Sequence, residues 1–297
     1  MKKRLFLSVA ATAMIFAGCS KEIKTDNAGD KVALQVSSNL TGVETRVSGT
    51  NWEANDAIGI FRLEAGTTTV LDANKQYETA NGGTPGTFAP ASPGETIYFP
   101  MALTPKSDFI AYYPYKPAQT NLTYVIDVSN QNNQQSIDLL TADKVTGKDR
   151  AAPAVSFIFK HRLAKIEMKI SAGGGLTGTN LEGLTVTLDN QETTANFDLG
   201  DNTLLSTGAS GEITLKTDAD GRSAEAIILP QGTVSGRKLT FTLTSGDEFH
   251  FDVSGASYVA GAKTEYVITI NRTGITVNGT TIVDWTTGGS IPGSAEM

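Results

Sequence analysis

The sequence predicts an all-β protein of sandwich architecture, and three observations carry that expectation. Apolar and polar residues alternate with a period of two through a long series of short segments, the pattern of strands with one buried face. Clusters of turn-forming residues separate them: "NGG", "SPGE", "SAGGG", "TDADGR", "SGD" and "VSGA". No window of roughly 15 residues carries an apolar stripe of helical period.

Taken in order, the chain opens on Lys2, Lys3 and Arg4, followed by the apolar run "LFLSVAATAMIFA" and then small residues. That is the layout of a signal peptide, and the run is too short for a comfortable membrane span. Cys19 is the single cysteine of the 297 residues, so no internal disulfide can form. Phe16-Ala17-Gly18-Cys19 resembles a bacterial lipobox, with Phe16 where Leu is usual. The resemblance implies that residues 1–18 are removed and that the Cys19 thiol carries a covalent lipid. Acyl chains contribute about 0.8 kcal/mol per buried CH₂ to membrane attachment. The competing reading is an ordinary secretory signal with an incidental cysteine.

Residues 19–30 have no apolar period and read as a tether. The first strand signal is "KVALQVSS", where Val32, Leu34 and Val36 alternate with Ala33, Gln35 and Ser37. Further signals are "AIGIF", "TIYFPM", "DFIAYYPY", "LTYVIDV", "VSFIF", "LAKIEMKI", "LTVTL", "EITLKT", "EAIILP", "KLTFTLT", "EFHFDV" and "EYVITI". The charged stretch "DKVTGKDRAAP" separates an aromatic-rich half from one richer in Gly, Thr and aliphatics. It predicts two domains, 31–150 and 151–297. At the far end, Ile275 and Val277, then Val283 and Trp285, carry period-two apolar side chains on either side of "NGTT".

Charge and motifs narrow the function classes. The whole chain has a net charge of −7; without the signal peptide, 21 basic residues face 31 acidic ones, a net charge of −10. Nucleic acid is disfavoured, because phosphate binding needs a basic surface. His161 and His250 lie in strand-like contexts with no HExxH motif or Cys/His pairing, which argues against zinc and for strand histidines with hydrogen-bond partners. "SAGGGLTG" lacks the Lys-Ser/Thr ending of a phosphate loop, "DADGRSAEAIIL" loses its oxygen donors at the later calcium positions, and no Ser sits in a G-x-S-x-G elbow. Neither a catalytic residue nor a metal site or cofactor is assigned, and the chain is read as a non-enzyme.

Five stretches in order resemble the fimbrillins of Bacteroidales, the subunits of type V pili. They are "TRVSGTNWEANDAIGIF", "DFIAYYPY", "SIDLLTAD", "FKHRLAKIEMKI" and "ITVNGTTIVDWTTGG". Read on their own, Trp52, Ile58, Ile60, Tyr113 and Tyr115 are core and inward-facing strand positions. The resemblance implies two transthyretin-like β-sandwich domains in tandem and export as an outer-membrane lipoprotein. It implies cleavage by an arginine-specific protease between Arg46 and Val47, which removes the lipid on Cys19 together with the strand of Val32, Leu34 and Val36. The vacated groove would then accept a donor strand, the segment about 275–297, from a neighbouring pilus subunit. Removing a strand leaves an apolar groove flanked by unpaired backbone, which favours strand addition. Head-to-tail donation does not close on itself and so builds a filament. Cleavage acts as the switch because a covalently attached strand competes at an effective concentration on the order of millimolar.

Stalk, tip and anchoring subunits all fit this pattern. The competing class is a surface lipoprotein that never polymerises and captures glycans through Tyr112, Tyr113, Tyr115 and Trp52; aromatics in alternating strands are more often core. Without the strand-exchange reading, 275–285 would simply be the last strands of the second domain.

Overall fold

A computed structural model describes residues 31–40, 52–83 and 85–285. The signal peptide, the whole tether with Cys19, and Arg46 and Val47 lie outside the described residues. The first half of the chain supplies β1 (Val32–Ala33), β2 (Gln35–Leu40), β3 (Ala57–Glu64), β4 (Val70–Thr79), β5 (Gly86–Pro90), β6 (Tyr98–Phe99) and β7 (Ser107–Tyr113). It continues with β8 (Thr123–Asp127), α1 (Gln134–Ile137), β9 (Leu140–Ala142), β10 (Val145–Lys148) and β11 (Ala154–His161). The second half adds β12 (Ala164–Ala172), β13 (Thr185–Glu192), β14 (Thr194–Asp198), β15 (Thr203–Thr207), β16 (Ser210–Thr214) and β17 (Lys216–Thr217). Last come β18 (Ser223–Ile228), β19 (Lys238–Thr242), β20 (Glu248–Asp252), β21 (Ala262–Asn271) and β22 (Gly274–Asp284). The protein is all-β, as the alternation predicts.

The largest sheet runs β10-β7-β3-β4-β5-β2-β11-β9, and an extra pairing of β7 with β9 bends it back on itself. Seven of its strands therefore form a ring, a sandwich closed at its edges, with β10 outside. Closure removes the unpaired edges that an open sheet exposes. The interior is filled by Leu34, Val36, Trp52, Ile58, Ile60, Tyr77, Phe88, Phe109, Tyr113, Phe157, Phe159 and their neighbours.

A second core lies beyond this wall. It packs between the sheets β17-β18-β12-β21-β22, β16-β13-β19-β20 and β15-β14-β8. β3 and β7 divide the two cores, because successive side chains point to opposite faces. Ile58, Ile60, Phe109, Ala111 and Tyr113 face the ring interior, whereas Phe61, Leu63, Ile110 and Tyr112 join the second core. This explains why every residue of β7 is buried.

Strands from the two sides of residue 150 share sheets. β11 runs parallel to β2 and antiparallel to β9, so it belongs to the first ring, and the chain crosses to the second core between His161 and Ala164. The stretch read as a boundary contains β10, paired with β7. β8, from the first half, pairs with β14 of the second.

Candidate strand-exchange site

β2 sits in the ring between two strands. It is antiparallel to β5, with Val36 opposite Phe88, and parallel to β11, with Gln35 to Leu40 opposite Ala154 to Phe159. Leu34, Val36, Ser38 and Leu40 are buried, while Gln35 is exposed and Ser37 and Asn39 are half-buried. The predicted alternation holds and runs four residues further than Val36, through Ser38 and Leu40. Val32 is half-buried in β1, where it pairs with Phe99. The approach is fixed by Leu34 N–H donating to the Ile97 carbonyl (2.9 Å) and Gln35 N–H to that of Pro153 (3.0 Å). Burying Leu34, Val36 and Leu40 contributes about 1.5–3 kcal/mol each. Without β2, β5 loses the partners of Gly86 to Phe88 and β11 those of Ala154 to Phe159.

Trp52, the first described residue after β2, closes the ring interior beside this site. Its ring meets Phe88, Tyr113 and Phe159 edge-on at 5.1, 5.5 and 5.3 Å between centroids. Edge-to-face pairs of this kind add about 0.5–1.5 kcal/mol beyond area burial. Gly86 is required under it, since a Cβ there would collide with the Trp52 indole. Asp56 lies next to this core and accepts from Glu53 N–H (2.8 Å) and the Tyr113 hydroxyl (3.1 Å). Burial raises the Asp56 carboxyl above its ordinary value, although these hydrogen bonds pull the other way.

Of the segment read as a donor, residues 286–297 lie outside the described residues and 275–284 lie in β22, which among the described residues is an edge strand hydrogen-bonded to β21 alone. Its register slips by one residue at Asn278, where Val267 faces Gly279 and Ile268 faces Val277. A one-residue slip exchanges the faces. Val277 therefore lies on the face of buried Ile268, while Val283 lies opposite Lys263 on the other face. Ile275, Val277 and Val283 are half-buried, Ile282 is 60% exposed, and Trp285 is 1% exposed.

Trp285 is held at both ends. Its N–H donates to the Gly261 carbonyl (2.7 Å), and its indole stacks on the His161 imidazole with centroids 3.8 Å apart. His161 Nδ1 lies 2.9 Å from Asp138 Oδ1, both side chains are buried, and His161 Nε2 has no hydrogen-bond partner. His250 meets the Thr240 hydroxyl at 3.1 Å. Both histidines are the partnered strand residues expected.

Beside β22, the other face of its sheet carries interlaced charges. Lys165 pairs with Glu167 (2.7 Å) and Glu225 (3.0 Å), and Lys263 with Glu167 (3.0 Å) and Glu265 (2.9 Å). Burial alone would raise the Glu167 carboxyl, but the hydrogen bonds and charges of Lys165 and Lys263 outweigh it and hold it below its ordinary value. The same balance holds Lys165 and Lys263 above theirs. Sequence reading had no signal for this ladder, because the partners lie on three different strands.

The aromatic residues considered for sugar stacking are mostly internal. Trp52, Tyr112 and Tyr113 are buried, and only Tyr115 is half-exposed, so its expected inward position is corrected. Among the described residues no group of His, Cys, Asp and Glu is arranged to hold a metal ion.

The described residues form an all-β scaffold that encloses an N-terminal strand in a ring and places its last strand at a sheet edge. Residues 45–285 match the family described as fimbrillin-like, and the chain belongs to that family. A Bacteroides uniformis protein that carries the name fimbrium subunit Fim1C is 40% identical over 311 aligned positions, covering 100% of both chains. A crystal structure from Bacteroides uniformis, described as a cell adhesion protein, matches with a TM-score of 0.75 and 39% identity over 88% of this chain and 100% of that one. A further cell adhesion protein structure, from Bacteroides ovatus, shares the fold with a TM-score of 0.68 at 22% identity, covering 88% of this chain and 100% of that one. These relatives are fimbrial and adhesion proteins, not enzymes, which agrees with the non-enzyme reading.

Proposed function

We propose that this chain is a structural subunit of a cell-surface fimbria that supports adhesion, delivered to the outer membrane as a lipoprotein on Cys19. An arginine-specific protease cuts it between Arg46 and Val47, and it polymerises by strand exchange with neighbouring subunits. The observation that carries this reading is the position of β2, a ring member that enters from the N-terminal end of the chain and precedes Arg46. A cut after Arg46 severs β2 from everything that follows, and its departure opens a ring that otherwise has no free edge at that point.

The presence of two hydrophobic cores supports the reading of two transthyretin-like domains. The donor is the C-terminal segment beginning at Ile275. Among the described residues β22 is hydrogen-bonded to β21 alone, so its departure breaks one ladder together with the packing of Ile275, Val277 and Trp285 on the second core. Burial of Trp52, Tyr112 and Tyr113 removes the surface that a glycan-capturing module would need.

The experiment is N-terminal determination of protein sheared from cells. The account expects chains beginning at Val47 in filaments and acylated Cys19 on membrane-bound precursor. Filaments whose chains begin at Cys19 would overturn it.

A further inference from the structure

We propose that the Trp285–His161 stack is an internal latch: it holds the end of β22 in place while β2 occupies the ring, and it loosens when β2 departs. The proposal rests on the strand-exchange reading and adds to it a rule of order, in which a chain becomes a competent donor only after losing its own N-terminal strand.

The two ends of β11 supply the connection. Ala154 to Phe159 pair with β2, and Phe159 to His161 pair with β9. Among the described residues Ala154 to Ile158 have no ladder partner besides β2, so its loss leaves the described ladder of β11 to its last three residues, paired with β9. The last of these is His161, whose ring carries the Trp285 indole. Leu40 pairs with Phe159, two residues before it.

At the other end, β22 is an edge strand and opens most readily from its C-terminal end. Ile282 there is exposed and Val283 only half-buried, so Trp285 is the fully buried side chain that holds this end. Two further contacts tie the same point to the strand crossing: Trp285 N–H donates to the Gly261 carbonyl, and Gly261 N–H to that of Leu163 (2.8 Å). The element that both sites bias is the stack itself, formed or open.

The test uses the uncut chain from Ser20 onward, so folding does not depend on removing β2. Val36→Ala and Leu40→Ala weaken β2 in place, and amide hydrogen exchange is read over residues 282–285 and, as control, over 185–192. The latch predicts exchange at 282–285 faster by roughly 5- to 150-fold, the ordinary range of site-to-site coupling, with the control segment unchanged. In a Trp285→Ala background the β2 substitutions should add nothing at 282–285. Equal exchange with intact and weakened β2, or equal acceleration of the control segment, would overturn the latch. The strand-exchange reading is judged separately, by binding of a 275–290 peptide to protein beginning at Val47. Peptide binding without coupled exchange rejects the latch alone. Coupled exchange without peptide binding keeps the latch and rejects the assembly it serves.

Discussion

The imidazole of His161 and the indole of Trp285 lie face to face, 3.8 Å apart and 7° from parallel, joining the last strand of the first ring to the residue that follows β22. The pair ties the C-terminal strand to the half of the molecule that holds β2.

Trp285→Ala should cost about 3–5 kcal/mol in the uncut chain, as for other buried Trp truncations. His161→Ala should cost less in the Trp285→Ala background than in the wild type. Urea unfolding of the four proteins of this cycle measures the difference, and strict additivity would mean that the stack contributes nothing of its own.

Val36→Asp places a carboxylate in the ring interior opposite Phe88 and Val155. A buried charge without a partner is strongly unfavourable, so β2 should be expelled while the rest of the ring keeps its other strands. The expected outcome is a lower melting temperature and filament formation without cleavage, seen by light scattering. A stable, monomeric Val36→Asp chain would show that β2 occupancy does not control assembly.

Acid should weaken the second core's sheet through Glu167. Its folded pKa is lowered from 4.5, so its stabilising contribution is fully present above that value and is lost as pH falls through the lowered one. Lys165 and Lys263, raised from 10.5, keep their contribution below that value and lose it as pH rises through the folded values. Asp56 works in the opposite direction at acid pH, since its raised carboxyl favours the protonated fold. Glu167→Gln should therefore flatten the decline in melting temperature below pH 4.5, and an unchanged acid limb would remove Glu167 from the account.

Arg46→Ala should yield a lipidated, folded monomer, and Cys19→Ala a folded protein that is not retained on membranes. Fractionation with labelled palmitate separates the two. Wild-type labelling of the Cys19→Ala protein, or normal filaments from Arg46→Ala, would contradict the proposed processing.

Much of the fold was legible because burial and period two coincide along single strands. β2 and β11 alternate as read, and Trp52 is the core anchor that its setting implied. β4 was missed because "VLDANKQYET" buries little and is largely polar, leaving no alternation to read. Local composition does not encode that β11 returns to the first ring as a parallel partner of β2, a pairing about 120 positions apart. In β22 the slip at Asn278 breaks the phase between Val277 and Val283. A period-two pattern written across "NGTT" cannot show an extra residue. The His161–Asp138–Trp285 cluster was invisible for the same reason, since its members converge from separate segments.

Strand exchange requires that the site of β2 can be refilled by the C-terminal segment of another copy. Fluorescence anisotropy of a labelled 275–290 peptide, titrated with protein beginning at Val47 and with the uncut chain, tests it most directly. Strand exchange predicts saturable binding to the Val47 form alone, displaced by an excess of a 31–40 peptide that restores β2. Equal binding to both forms, or binding that the 31–40 peptide does not displace, would contradict it.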